Sequence, residues 1–211
     1  MRKSVIICAV VALTAVIVNA QTTSANIVGY SKITAVGGEL SLVAVNFETG
    51  GLTVNDIFGA SLPNLSTVYV WDKVSNTYVS STRGRSGFSP DRTIVNGDAM
   101  WILASGSASN EVIFSGEVDT SLVRTNTLDG IDAVGLGYPV AVNFDDTSLA
   151  SQAPSLSTLN IWNGSSYNTY TKGRAGWGTG GVQIGVSEAF WINTPSEVQW
   201  TEARPFDMTS D

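Results

Sequence analysis

The chain has 211 residues, a formal net charge of −7, one cysteine and no histidine. Without histidine the usual zinc ligand and general base are missing and a Ser-His-Asp triad cannot form. Eighteen Asp plus Glu against 11 Lys plus Arg make a surface that repels phosphate backbones, which speaks against nucleic acid as a partner.

The N-terminus reads as a secretory signal peptide over 1–20. Arg2 and Lys3 precede an apolar run from Val5 to Val18, and Val18-Asn19-Ala20 ends in the small residue that a signal peptidase needs. The run is shorter than the roughly 20 residues that span a bilayer, so we expect cleavage after Ala20 and no membrane insertion afterwards. The expected destination is extracellular or the cell surface. Cleavage would remove Cys8, the sole cysteine, leaving no disulfide in an oxidising compartment. Residues 21–25 are polar and unpatterned, a flexible lead-in.

Asn26 to Val36 is expected to be a strand, with Val28 and Tyr30 on one face and Ile27 and Ile33 on the other. Gly37-Gly38 turns the chain into Leu42–Phe47. Between Leu52 and Leu62 a short helical turn is plausible, capped by Thr53 or Asn55. Thr67–Trp71 and Thr77–Thr82 read as a hairpin across Asp72–Asn76. Arg83–Asn96 reads as a loop, then Ala99–Ala104 and Glu111–Val118 as strands.

The same order then recurs. Val140 to Phe144 repeats Val43 to Phe47 letter for letter. Val70-Trp71 is matched by Ile161-Trp162. Gly84-Arg85-Ser86-Gly87-Phe88 is matched by Gly173-Arg174-Ala175-Gly176-Trp177, and Asp98-Ala99-Met100-Trp101-Ile102 by Glu188-Ala189-Phe190-Trp191-Ile192. We therefore expect an all-β chain of two tandem, homologous sandwich- or barrel-like repeats, 26–120 and 121–211, with at most short helical turns. The spacing between copies, taken from Val43 and Val140, is expected to shrink along the chain through loop deletions.

This ordered set resembles a repeat of bacterial secreted and surface proteins that runs "GWNLIGVPF", "VYVWNGxxY", "PGxGFWI" and a closing Gly-Glu strand. The counterparts are Leu42–Phe47, Val68–Asp72 with Tyr78, Gly97–Ile102 and Phe114–Val118, then Tyr138–Phe144, Leu159–Gly164 with Tyr167, Ser187–Ile192 and Val198–Glu202. Ala99 and Ala189 stand where that repeat has glycine. The resemblance implies secretion, β structure and a surface role, with no general activity; separately, no residue set points to a cofactor.

Arg85 and Arg174 sit in Gly-Arg-x-Gly-aromatic loops, with two readings. Phe88 and Trp177 could stack on a sugar or a partner side chain. Alternatively Arg85 pairs with Asp98 and Arg174 with Glu188, clamping each loop to its sheet. Trp71, Trp101, Trp162 and Trp191 are duplicated and expected to be packing residues that mark the repeat. Asp145-Asp146 and Asp129–Asp132 offer hard oxygen ligands but lack calcium-loop spacing. No residue set specifies a reaction, so the expected function is non-enzymatic: a self-associating subunit of an extracellular filament or surface layer, partnered by copies of itself. In that reading Ile27, Val28, Tyr30 and Ile33 form a strand donated to a neighbour, or one paired within its own unit. The alternative is an adhesin or carbohydrate-binding module that meets a glycan or cell-surface partner through the aromatic loops.

Overall fold

A computed structural model describes residues 27–207; the leader expected over 1–20 and the lead-in over 21–25 lie outside the described residues. In the first half the elements are β1 (Val28–Ala35), β2 (Leu40–Ala44), α1 (Val54–Phe58), β3 (Thr67–Asp72), β4 (Thr77–Gly84), β5 (Gly87–Ser89), β6 (Ala99–Leu103) and β7 (Asn110–Glu117). The second half contains β8 (Val123–Val134), β9 (Val142–Asn143), a 3-10 turn (Phe144–Asp146), α2 (Ser148–Gln152), β10 (Thr158–Trp162), β11 (Tyr167–Thr171), β12 (Gln183–Ile184) and β13 (Phe190–Ala203). The protein is all-β apart from these short helical segments.

Both halves use one pairing scheme. The first holds an antiparallel sheet in the order β2-β6-β3-β4-β5 and a separate β1-β7 ribbon. The second holds β11-β10-β13-β8. There β8 and β13 are continuous: Gly130 to Val134 pair with Thr194 to Phe190, and after a register shift Val123 to Leu128 pair with Ala203 to Val198. The first segment does the work of β2-β6 and the second that of β1-β7. The separate strands expected over 187–192 and 198–202 are thus one bulged strand. Proline and two polar neighbours at Thr194-Pro195-Ser196 interrupt the ladder without ending it.

The five-residue helix α1 depends on its cap. Thr53 Oγ1 accepts from Asp56 N while Thr53 N donates to Asp56 Oδ2 at 2.9 Å, a reciprocal capping box. Asn55, the other expected cap, instead holds β5: its Nδ2 donates to Phe88 O at 2.9 Å and its Oδ1 accepts from Phe88 N at 2.6 Å. Arg83 donates to Leu62 O, just past α1, and Lys172 Nζ donates to Ala150, Ser151 and Ala153 O at the end of α2. A cation near the end of β4 and another just after β11 thus satisfy carbonyls in the segment that follows α1 and at the end of α2.

The letter-for-letter match between Val43–Phe47 and Val140–Phe144 does not survive as a structural equivalence. Val43 pairs with Met100, and Val134 pairs with Phe190, the residue matched to Met100. The counterpart of Leu42–Phe47 is thus Ala133–Tyr138, a sequence with only Val134 in common. Val142-Asn143 instead bridges Ile184-Gln183, as Thr53 bridges Thr93. The expected shrinkage in spacing over the first strand disappears with this correction.

Side-chain alternation explains why the strands are apolar on successive residues. In β6, Met100 and Ile102 enter the first core with Val43, Val68, Val70, Phe58 and Phe114, whereas Ala99 and Trp101 face the opposite way. In β13, Phe190 and Ile192 enter the second core with Val134, Phe144, Leu159 and Trp200, whereas Trp191 faces away with Ala189. The outward faces meet in a third cluster of Leu42, Ala44, Trp101, Ala133 and Trp191, flanked by Tyr69, Trp71, Tyr78 and Trp162. Each sheet is buried on both faces, by its own cap of helix and ribbon on one side and by the other sheet across the seam.

The backbones also join at the seam. Ala44 N donates to Ser187 O at 2.9 Å and Gly135 N donates to Gly97 O at 3.1 Å, contacts that are counterparts of each other. A Cβ on Gly135 would stand 2.4 Å from Ala44 Cβ and 2.7 Å from Asn46 Oδ1. Gly135→Ala is expected to destabilise by roughly 1–3 kcal/mol, read as a melting temperature lower by several degrees in differential scanning calorimetry.

Candidate functional site

The seam gathers most of the chemistry-bearing side chains, because β3, β4, β6, β8, β10, β11 and β13 all project into it. Its centre is a ring assembly with local two-fold reciprocity. Trp71 meets Trp191 at 4.8 Å between centroids and Trp162 meets Trp101 at 5.1 Å, both edge to face. Tyr78 lies 6.0 Å from Trp191 and Tyr167 lies 6.4 Å from Trp101. Edge-to-face pairs of this kind each contribute about 0.5–1.5 kcal/mol beyond area burial. Trp101 Nε1 donates to the Tyr78 hydroxyl at 2.8 Å, and burial pushes that hydroxyl's pKa up, so Tyr78 stays protonated. The matching approach of Trp191 to Tyr167 falls outside hydrogen-bond geometry. All four marker tryptophans are thus seam residues.

Two tryptophans extend across the seam by their ring N–H. Trp162 Nε1 donates to Leu40 O at 3.2 Å, and Trp71 Nε1 donates to Asp132 Oδ1 at 2.9 Å. Asp132 is only 2% exposed. Its other oxygen lies 2.7 Å from Lys73 Nζ, an ion pair off the hydrogen-bond direction. The same ammonium donates to Asn126 Oδ1 at 3.1 Å and to Thr127 O. Lys73 is 42% exposed, so water screens its side of the pair and only Asp132 is enclosed.

Beside this latch a cleft of about 300 Å³ opens between Trp71, Lys73 and Asn96–Ala99 of the first half and Arg124–Asn126, Asp132–Leu136, Trp200 and Glu202 of the second. Its carboxylates are engaged. Glu202 accepts from Ser148 N at 3.0 Å and Trp200 Nε1 at 2.7 Å, fixing the start of α2. Arg124 donates to Asp119 Oδ2 at 2.8 Å and Glu48 Oε1 at 3.2 Å.

The loop residues fall elsewhere. Phe88 and Trp177 are 3% and 6% exposed and belong to the two cores, so neither offers a ring face to a sugar. Trp177 Nε1 donates to Ala150 O at 2.8 Å. Arg85 and Arg174 are exposed, and neither reaches the acid expected to clamp it. Asp98 Oδ2 instead accepts from Val95 N at 2.9 Å, and Glu188 Oε2 from Gly185 N at 2.8 Å. Each acid closes the turn before its tryptophan strand, a turn whose next-to-last residue, Gly97 or Ser187, has positive φ. That short-range role explains the matched acids without any arginine. The loops are fastened by Asn55 in one half and Trp177 in the other.

Ile27, Val28, Tyr30 and Ile33 lie at or in β1, which pairs over its whole length with β7, from Val28 with Glu117 to Ala35 with Asn110. The strand considered as a donor is therefore paired within its own half. Lys73 and Arg124 were not singled out from sequence, and Asp132 only as part of an oxygen-rich run. The signal was available: at the corrected spacing Asp132 stands where the first half has Ser41, and Lys73 where the second has Gly164.

No protein-family model, curated protein or solved structure matches the chain.

Two tests follow from the seam chemistry. Arg85→Ala and Arg174→Ala should each change stability by less than about 0.5 kcal/mol, as exposed residues without partners do; a marked drop in melting temperature would restore the clamp. Burial raises the pKa of both Asp98 and Glu188. The folded state thus holds their protons more tightly than the unfolded chain, a contribution complete below the unfolded carboxylate range and lost as pH rises through the folded values. Asp98→Asn with Glu188→Gln should raise the melting temperature at pH 7, by a margin that shrinks towards pH ~4, measured by calorimetry across that interval.

Proposed function

We propose that this is an exported, non-enzymatic structural protein of the bacterial surface, derived from two copies of one β unit and associating with further copies of itself. The observation that carries the reading is the outer face of the β1-β7 ribbon. Val28 and Tyr30 alternate with inward residues on β1 and Ile113 faces the same way on β7, beside the exposed Lys32–Glu111 ion pair; Tyr30 is 78% exposed. Apolar side chains grouped on an outer face favour a contact that removes them from water. Two edge strands support it. β11 carries Tyr-Asn-Thr-Tyr-Thr, and β4 carries Thr-Tyr-Val-Ser-Ser ahead of the part that β5 covers, both without the charges that usually block edge pairing.

The seam supports the non-enzymatic part. Its carboxylates hold a turn, a helix start or an ion pair, which leaves no pair set to share a proton across the cleft. The adhesin alternative built on the Phe88 and Trp177 loops has no observation in its favour, because both rings are core.

Residues 21–211, purified without the leader, should run larger than one chain in size-exclusion chromatography with light scattering. Tyr30→Lys with Ile113→Lys should return the protein to a single chain without a change of more than a few degrees in melting temperature. A wild-type protein that is a single chain at ~100 μM would rule out self-association.

A further inference from the structure

The seam departs from reciprocity most where the ribbon meets the turn before the tryptophan strand. On one side of the local two-fold, Ser31 Oγ meets Ser187 Oγ at 2.5 Å and the ribbon closes against the turn. On the other side the counterparts are Asn126 and Gly97, and between them the cleft stays open. Glycine removes the side chain that would meet the ribbon. Trp71 and Trp162 occupy matched positions, but only Trp71 has a buried carboxylate and an ammonium beside it. A feature needed only for packing would be expected on both sides; this constellation occurs once.

Its chemistry selects for a neutral, hydroxyl-rich ring. Asp132, Asp98 and Glu202 face an anion with like charge, and Lys73 and Arg124 do the same for a cation. Hydroxyl groups are both donors and acceptors, so a ring that carries several of them can use both signs of a mixed wall without bringing a net charge into it. Asn96, in that wall, has a buried Oδ1 that no donor meets, and the Asn126 amide supplies Nδ2 beside its contact with Lys73. The half-buried Trp71 ring adds an apolar side, held by Trp191 and Tyr78. The volume lies at the lower end of ligand-sized pockets, enough for one ring. We propose that this cleft binds a single neutral sugar unit, between Trp71, Lys73, Asn96, Asn126 and Asp132. The site stands whether or not the chain self-associates.

The test follows the indole N–H signals of the ¹⁵N-labelled protein, residues 21–211, during titration with the methyl glycosides of glucose, galactose, mannose and N-acetylglucosamine to ~100 mM, with sodium acetate as a charged control. The Trp71 signal should shift saturably with at least one glycoside while Trp162 stays in place. Lys73→Met should weaken that binding roughly tenfold or more while the remaining indole signals keep their positions. If Lys73→Met does not fold, Asn126→Ala, an exposed position, takes its place with the same expected loss. The assignment is overturned by no saturable shift, by equal shifts at Trp71 and Trp162, by saturable binding of acetate, or by unchanged affinity in the folded variant.

Discussion

Contact between two sheet faces is what the rest of this structure depends on. Trp101 and Trp191 lie almost fully buried at its centre, each edge-on to a tryptophan from the other half. Burying this layer removes from water the large rings that would otherwise leave each half with an apolar outer wall. It also fixes the backbones, because the reciprocal bonds at Ala44 and Gly135 form only when the two sheets face each other in one register. The helices, ribbons and capping cations then serve to cover the far face of each sheet. Asp132 and Lys73 add directional contacts at the rim, where an apolar seam by itself would tolerate sliding.

Strands, hairpins and the α1 cap were legible in the sequence, because β-branched alternation and turn residues act over a few positions. Thr53 with Asp56 three residues later is such a local signal. Trp71, Trp101, Trp162 and Trp191 were legible as packing residues, and all four lie at the seam. Val140–Phe144 misled for a physical reason: a short apolar run suits a strand leaving the seam as well as a strand reaching the cap, so identical letters mark similar burial and not the same place. The arginine clamp misled because charge matching looked across the fold, whereas Asp98 and Glu188 are satisfied three residues away. Burial of Phe88 and Trp177 could not be read at all, since a Gly-flanked aromatic suits an exposed loop and an inward one equally.

The local two-fold bears on which surfaces the seam uses up. A reciprocal contact closes on itself, so the halves satisfy each other and the seam cannot pass an association on to a third unit. Any further contact must use surfaces outside the seam, and the β1-β7 ribbon is one that stands as a separate sheet, whereas its counterpart is built into the continuous β8-β13 pair. The same departure from reciprocity leaves the cleft on one side only. The two halves thus share a frame, and the residues that differ between them are where their surfaces differ.

The third cluster also sets an order of events during synthesis. Residues up to Glu117 contain every strand of the first sheet and its cap, but the wall bearing Tyr69, Trp71 and Trp101 has no cover until β8, β10 and β13 exist. A nascent or truncated chain ending there presents a sticky aromatic plate, able to clasp the same plate on another unfinished chain. It is the second half that covers this plate in the finished chain.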